Sequence, residues 1–496
     1  MSMINISNLT FGYDGSSENV FENVSFRIDT DWRLGFTGRN GRGKTTFLRL
    51  LLGSLEYSGT ISASVDFEYF PYNVSNTDNL TIDIIREISA DTEDWKIYRE
   101  MSLLDVSEDA LWRPWNTLSN GEQTKAMLAG MFLRENAFLL IDEPTNHLDM
   151  EARQHLGEYL RKKKGFILVS HDRTFLDSCI DHVLAINRTN IEIQSGNFST
   201  WQANKEMRDS FELAENEKLK REIKSLEAAA KKASEHSDKI ERTKIGFDPS
   251  KTEKTTTRRA SVAAKSKKLM NRAKAMETRI STDINKKSAL LRNIEQADSL
   301  KISPLKFHSA RLLEVKNLSV EYDGRTVCEN VSFEVMQGER IALCGKNGCG
   351  KSSVLKLILD EKITHNGEIY GAEKLKISYV QQKTDTLCGT LTQYAESKGI
   401  DESLFKAILR KLDFSRELFE RKIESYSGGQ KKKVLIAGSL CEQAHLYIWD
   451  EPLNFIDILS RIQIEKLITN FQPTMIFVEH DKTFCENTAT KTVVIE

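Results

Sequence analysis

The chain has 496 residues, long enough for two to four domains, and its 40% apolar content is enough to fill their cores. No apolar run approaches the ~18 residues a membrane helix requires. The start, Met1-Ser2-Met3-Ile4-Asn5, has no signal-peptide pattern, and seven cysteines without a Cys-x-x-Cys pair argue for a reducing compartment rather than disulfides or zinc. The net charge of −2 hides an imbalance: residues 239–279 hold thirteen Lys/Arg against four Asp/Glu, leaving −11 for the rest. A polyanion would therefore meet the middle of this chain.

In chain order, the segments 8–15 (NLTFGYDG) and 22–26 (ENVSF) lead into a glycine-rich loop, Gly38-Arg39-Asn40-Gly41-Arg42-Gly43-Lys44-Thr45-Thr46. It fits the pattern G-x-x-x-x-G-K-[ST]. Glycines let main-chain N–H groups curl around phosphates, and the helix that follows offers its positive end. Lys44 would reach the β- and γ-phosphates of ATP, and the Thr45 hydroxyl would hold Mg2+. Further on, the apolar strand Phe138-Leu-Leu-Ile141 ends in Asp142-Glu143-Pro144. That edge is where an α/β sheet places a site. Asp142 suits a magnesium shell, and Glu143 is placed to polarise an attacking water. Taken alone, the two acids could serve solubility; beside a phosphate loop that alternative loses its force.

The middle of the chain is different. Leu219, Ile223, Leu226 and Ala230 step by four, three and four, and Leu269, Ala273, Met276, Ile280, Ile284, Leu291 and Ile294 repeat a similar seam. The spacing predicts two antiparallel helices, about 203–242 and 258–298, paired as a hairpin roughly 60 Å long. Between them Ile245-Gly246-Phe247-Asp248-Pro249 breaks the helix. Composition alone leaves open a merely solvated basic face, and a Phe247 that only closes the turn against Ile245. The positive charge gathers at the far end, which favours contact with nucleic-acid phosphates. The candidates for RNA contact are Lys244, Phe247, Lys251, Lys254, Arg258, Arg259, Lys265, Lys267 and Lys268.

The last 190 residues repeat the first 200. Segments 317–324 (NLSVEYDG) and 329–333 (ENVSF) precede a second phosphate loop, Gly345-Lys346-Asn347-Gly348-Cys349-Gly350-Lys351-Ser352-Ser353. Leu446-Tyr-Ile-Trp449 then ends in Asp450-Glu451-Pro452. Lys44 maps to Lys351, Asp142 to Asp450 and His171 to His480 at offsets of 307, 308 and 309. So steady an offset indicates duplicated domains. The expected organisation is a first ATPase domain at 1–202, a helical hairpin linker at 203–305 and a second ATPase domain at 306–496.

Further motifs carry a family resemblance. Leu118-Ser119-Asn120-Gly121-Glu122-Gln123 and Tyr426-Ser427-Gly428-Gly429-Gln430 resemble the signature motif of ABC ATPases. Val169-Ser-His171-Asp and Val478-Glu-His480-Asp resemble their switch histidine, and Tyr13 and Tyr322 stand where the family stacks an aromatic on adenine. The resemblance implies an α/β fold of two tandem ABC-type P-loop domains, each with a helical subdomain and an antiparallel β part. It implies head-to-tail pairing within a monomer, so that Ser427, Gly428, Gly429 and Gln430 cap ATP on the first loop while Ser119, Asn120, Gly121, Glu122 and Gln123 cap it on the second. Thr45, Asp142, Ser352, Gln382 and Asp450 would serve Mg2+, and Glu143, Glu451, His171 and His480 would serve hydrolysis.

Tandem lobes without a membrane domain resemble the ABC-F class. The stretches WRPWNTLSNGEQTK, KKKGFILVSHDRTF, RDSFELAENEK and LYIWDEPLN look most like its antibiotic-resistance branch of Vga/Lsa type. That resemblance implies a cytoplasmic ATPase on the 70S ribosome, its linker entering the vacant tRNA exit site along 23S rRNA beside P-site tRNA. It further implies relief of inhibition by lincosamides, streptogramin A and pleuromutilins.

The sequence departs from the pattern in places. Tyr72 stands where the family has the Q-loop glutamine that Gln382 keeps, Asn120 replaces a signature glycine, and Tyr426 a signature leucine. Two competent but unequal sites are expected, with Tyr72→Gln raising turnover at the first. A housekeeping translation factor is disfavoured by the short spacing from 72 to 119, which leaves little room for an arm insertion. An exporter motor would lack its membrane domain, and a DNA-associated coiled-coil ATPase would carry a far longer coil within one domain.

Overall fold

In the computed structural model the sequence repeat becomes two lobes built alike. The structure describes residues 2–14, 19–90, 92–146, 148–186, 191–245, 267–268, 275, 278–280, 282, 300–322 and 325–495. Each lobe opens with a three-stranded antiparallel sheet. In the first, Met3–Phe11 lies between Phe21–Asp29 and Ser58–Ser62; in the second, Arg311–Tyr322 lies between Arg325–Met336 and His365–Gly371. Ile4, Ile6, Leu9 and Phe11 are buried while their neighbours are more open, as a sheet with one covered face requires.

The second sheet of each lobe carries the chemistry. In the first lobe its order is Asp66–Phe70, Ala137–Asp142, Phe166–Val169, Arg33–Thr37, His182–Ile186 and Ile191–Ser195, parallel except for the last strand. The second lobe repeats it with Ile377–Val380, Leu446–Asp450, Met475–Val478, Arg340–Cys344 and Lys491–Val494, all parallel. Helices cover both faces of the central strands, which is why 138–141 and 446–449 read as unbroken apolar runs. The strand before each phosphate loop is separated from the acid-bearing strand only by the strand that leads to His171 or His480. Three loops of chemistry therefore emerge side by side at one sheet edge.

A helical part completes each lobe. In the first, Thr81–Ser89, Asp94–Leu103 and Asn120–Phe132 share a core of Ile82, Ile85, Ile88, Ile97, Met101, Leu128 and Met131. Gly130 permits that approach, since a Cβ there would stand 3.1 Å from the Ile88 side chain. Leu391–Lys398, Glu402–Lys411 and Gly428–Cys441 repeat the arrangement around Phe405, Ile408, Leu409 and Val434.

The chain forms two compact units, Met1–Trp201 with Ala297–Glu496, and Gln202–Gln296. Two boundaries differ from those read in the sequence. The long helix runs Phe198–Ile245, 48 residues, rather than 203–242. It starts early because Phe198 and Trp201, 1% and 5% exposed, join the first lobe's core, each worth about 1.5–3 kcal/mol on burial. Asn197 helps to begin it by accepting the Thr200 main-chain N–H at 3.0 Å. The first unit also resumes at Ala297, before 306, because Leu300 and Ile302 are buried in the second lobe's core.

Along the long helix the less exposed positions after Trp201 fall at Gln202, Lys205, Asp209, Glu212, Leu213, Asn216, Leu219, Glu222, Ile223 and Leu226. Steps of three and four link 205, 209, 212, 216, 219, 223 and 226 into a heptad seam, widened at Leu213 and Glu222 and more polar in its first half than the apolar pattern suggested. Most of the return helix expected at 258–298 lies outside the described residues, as do Phe247, Lys251, Lys254, Arg258, Arg259 and Lys265. Lys244 lies in the last turn of the long helix, and Lys267 and Lys268 are helical and exposed.

Candidate active site

Each phosphate loop is a glycine-built turn followed by a helix N-terminus. Gly41, Gly43, Gly348 and Gly350 take left-handed backbone, with φ between 83° and 93°. At Gly43 a Cβ would also meet Val20 at 2.5 Å, so no side chain fits. The helices Lys44–Leu51 and Lys351–Ile358 begin directly after them. Lys44 Nζ donates to the carbonyls of Gly38 at 2.7 Å and Arg39 at 3.2 Å, and to Asn40 Oδ1 at 3.3 Å. Lys351 Nζ does the same with Gly345 at 2.8 Å and Lys346 at 2.7 Å. Burial lowers the Lys44 pKa. Both ammonium groups are held across loops that would surround a phosphate chain.

The acids sit opposite. Thr45 Oγ1 donates to Asp142 Oδ2 at 3.4 Å, and Ser352 Oγ to Asp450 Oδ1 at 3.1 Å. Burial raises both carboxyls, Asp450 to about 6. Glu143 and Glu451 follow with positive φ, 51° and 46°, and their main-chain N–H groups bond Val169 O and Val478 O. Their carboxylates stand 3.4 Å and 3.5 Å from Nε2 of His171 and His480. Burial and the Lys44 charge push His171 well below its usual pKa, so it is neutral.

Here the two sites part. Glu143 Oε1 is buried and accepts no hydrogen bond among the described residues. Burial and the Asp142 charge push its pKa up to about 8. Burial opposes ionisation of Glu451 too, but hydrogen bonds from His480, Gln382 and Asn454, whose amide is 2.6 Å away, outweigh it and hold the carboxyl at about 2. Tyr72, where the sequence loses the Q-loop glutamine, turns its ring toward the helical core, and its N–H meets Met127 Sδ at 3.0 Å. The hydroxyl that faces the first site is that of Tyr69, which donates to Asp142 Oδ2 at 3.0 Å.

The first site is built from both lobes. A cavity of about 670 Å³ is lined by Tyr13, the first phosphate loop, Asp142, Glu143 and His171, and by Ser427, Gly428, Gly429 and Phe455 of the second lobe. Asn40 Nδ2 donates to Phe455 O at 2.9 Å, and Arg39 pairs with Asp413 at 3.3 Å. Ser427 caps the helix Gly428–Cys441 in a reciprocal capping box with Gln430, leaving helix-end N–H groups for the cavity. Ser119 does the same with Glu122 for the helix Asn120–Phe132, and Gln123 Nε2 is tied to Trp115 O at 2.9 Å. On the second site's side, Arg153 reaches His480 O at 3.3 Å, Lys346 pairs with Glu151 at 3.4 Å and Arg173 pairs with Glu465. Tyr13 and Tyr322, 47% and 42% exposed, lean their hydroxyls on Thr46 at 2.8 Å and Ser353 at 3.1 Å.

Sequence reasoning missed Tyr69, Asp413, Asn454 and Phe455. A signal existed for two of them: Tyr69 has its counterpart in Tyr379, and Asn454 in Asn146. Phe455 acts through its carbonyl, which no residue type announces.

Two phosphate loops, each facing an Asp-Glu strand end and a switch histidine, with a signature helix closing one of them from the opposite lobe, define a tandem nucleotide-hydrolysing protein. The family model described as ABC transporter matches residues 21–146 and 328–454, about half the chain, and the chain belongs to that family. It is an ATP hydrolase. The chain is 27% identical over 514 residues to the ATP-binding protein Uup of Buchnera aphidicola, covering 99% of this chain and 80% of that protein. It is 28% identical over 494 residues to the ribosome protection protein VmlR of Bacillus subtilis, covering 97% and 85%. It is 25% identical over 554 residues to ABC transporter F family member 5 of Arabidopsis thaliana, covering 100% and 75%. Its fold is similar to that of an archaeal ribosome recycling factor solved with a ribosomal stalk protein, with a TM-score of 0.66 at 18% identity over 99% of this chain and 87% of that one. Among the described residues no helix is long and apolar enough to cross a membrane.

Proposed function

We propose that this chain is a ribosome-binding ABC-F ATPase that protects the ribosome from antibiotics acting at the peptidyl transferase centre. What carries the ribosomal assignment is that a relative named a ribosome protection protein aligns over 97% of this chain. The drugs in view are lincosamides, streptogramin A and pleuromutilins, and the Vga/Lsa branch is the assignment this entails.

In the mechanism, ATP lies along each phosphate loop with its γ-phosphate toward Lys44 or Lys351 and its adenine against Tyr13 or Tyr322. The facing signature helix end, at 427–430 or 119–123, donates N–H groups to the same phosphates. Glu143 and Glu451 orient the attacking water, His480 bonding the Glu451 carboxylate and His171 standing 3.4 Å from the Glu143 carboxyl. The oxygen donors Thr45 with Asp142, and Ser352 with Asp450, fit a magnesium ion, and Gln382, which bonds the neighbouring Glu451, would add its carbonyl to the second pair. When bound, that ion neutralises charge building up on the phosphates. Closure of both sites draws the lobes together and sets the linker in the tRNA exit site, where the basic residues from Lys244 to Lys268 meet 23S rRNA near P-site tRNA. The protein would work in the cytoplasm as a monomer.

The test is a drug-sensitive strain expressing the gene, with susceptibility to the three classes measured beside ribosome co-sedimentation. Protection together with ATP-dependent co-sedimentation is expected. Co-sedimentation without protection would assign a housekeeping translation factor instead, and the absence of both would overturn the ribosomal reading.

A further inference from the structure

The residues just before the two switch histidines are different: Ser170 in the first lobe and Glu479 in the second. Ser170 Oγ lies 3.3 Å from Thr145 Oγ1 and accepts the Asp172 N–H at 3.2 Å. In the second lobe Thr145 is replaced by Leu453, which has no hydroxyl to offer. Glu479 instead grips the main chain on both sides, which the serine–threonine contact does not do. Its Oε1 accepts the Leu453 N–H at 2.7 Å and its Oε2 the His480 N–H at 3.2 Å. The residue is 4% exposed. A buried carboxylate is a costly substitute for a serine unless its bonds are needed, and here both oxygens are engaged. Arg461 holds the carbonyl of the same residue, donating to Leu453 O at 3.0 Å and to Asp481 at 3.2 Å.

The loop that Glu479 grips runs from one site to the other. Asn454 donates to Glu451 in the second site at 2.6 Å. One residue later the Phe455 carbonyl accepts from Asn40 in the first phosphate loop, and Asn40 Oδ1 accepts from Lys44. We propose that Glu479 is a positioning residue that couples the two ATP sites, fixing the loop 453–455 to the His480 switch so that closure at the second site sets Phe455 in the first. Coupling of this kind must be reciprocal in binding free energy. It presupposes Glu143 and Glu451 as the water-orienting groups of their sites.

Titration of the full chain with a fluorescent ATP analogue, with magnesium present, gives the first readout. The unaltered protein should fill two sites cooperatively, with a Hill coefficient above one. Glu479→Gln, and the pair Leu453→Thr with Glu479→Ser that rebuilds the first-lobe contact, should bring it to one while still binding two equivalents. The second readout is steady-state hydrolysis in a Glu451→Gln background, where only the first site turns over. There the pair should change kcat at least threefold with KM within twofold, and Tm should stay within a few degrees. The pair keeps the test alive if Glu479→Gln fails to fold. Cooperativity absent from the unaltered protein, or retained in the folded pair with kcat unchanged, would overturn the coupling. Undiminished hydrolysis in Glu143→Gln/Glu451→Gln would instead refute the site assignment on which it rests.

Discussion

Asn40, in the phosphate loop of the first lobe, donates its side-chain amide to the main-chain carbonyl of Phe455 in the second, 2.9 Å away. The acceptor sits on a residue with φ of 64°, a backbone region that costs a non-glycine residue about 1–3 kcal/mol and is retained where surrounding contacts fix it. Asn40→Ala removes the donor and leaves that carbonyl without it. A loss of about 1–2 kcal/mol is expected. It should appear as a five- to thirty-fold rise in the ATP concentration that half-saturates the first site, measured with Glu451→Gln to silence the second. An unchanged half-saturation would make the contact incidental.

Removing both water-orienting carboxylates separates binding from turnover. Glu143→Gln/Glu451→Gln should keep nucleotide affinity while hydrolysis falls by about 10²–10³-fold. With ATP present, that variant should accumulate on ribosomes in sedimentation. Free sedimentation would rule out ribosome binding by the closed state.

The sequence suggests that Tyr72→Gln would restore first-site turnover, but the structure moves that expectation to Tyr69. Tyr72 packs toward the helical core, whereas the Tyr69 hydroxyl touches Asp142. Tyr69→Phe should therefore slow the first site about tenfold, the equivalent of about 1.4 kcal/mol. Gln382→Ala should slow the second by a similar factor, since it deprives Glu451 of a hydrogen bond. Single-turnover rates in the matching Glu→Gln backgrounds would separate the two, and each site responding equally to both substitutions would show that the sites are equivalent.

Glu100 offers a stability test far from the nucleotide. It is 1% exposed and bonded to Tyr159 at 2.7 Å, Lys163 at 2.6 Å and Arg99 at 3.0 Å. Burial disfavours its charge, but these three bonds prevail and hold its pKa below the usual value. A carboxyl lowered on folding stabilises above its unfolded pKa, roughly 4.3, and loses that contribution as pH falls through the folded value. Glu100→Gln should cost about 2–3 kcal/mol at pH 7, less than a fully buried pair because Lys163 keeps some solvent. In thermal melts the gap from the parent protein should narrow at pH 4 and below, and a gap independent of pH would refute the assignment.

Replacing residues 243–257 with a short Gly/Ser turn tests the linker. ATPase activity should persist, because both phosphate loops and their acids are untouched. Ribosome binding should weaken only modestly, since Arg258, Arg259, Lys265, Lys267 and Lys268 remain. Protection against the drugs should be lost, because Phe247 goes with the turn, and base stacking on such an aromatic is worth about 1–3 kcal/mol. Full protection by this variant would reduce the segment to a connection.

The phosphate loops, acid-bearing strands and switch histidines were legible because phosphate chemistry tolerates few residue types at those places. The exchange of Thr145 and Ser170 for Leu453 and Glu479 can be seen in the sequence, but not its meaning, which lies in main-chain N–H groups that any residue supplies. The early start of the long helix was hidden for a related reason. Phe198 and Trp201 pack into the first lobe's core, and the polar Lys205, Asp209, Glu212 and Asn216 part them from the apolar seam that begins at Leu219. Tyr72 misled because alignment fixes a residue's place in the chain but not the direction of its side chain.

The long helix Phe198–Ile245 is a measuring rod that also keeps phase. Its 48 residues amount to about 72 Å of rise, each residue adding about 1.5 Å and a turn of about 100°. One residue inserted midway would lengthen the rod trivially yet swing everything beyond it by more than a quarter turn. Seven would advance it by about 10 Å while restoring its aim to within about 20°. Reach and direction are thus set by different arithmetic, and evolution can lengthen such a rod only in strides of about seven if what lies past its end must keep facing the same way.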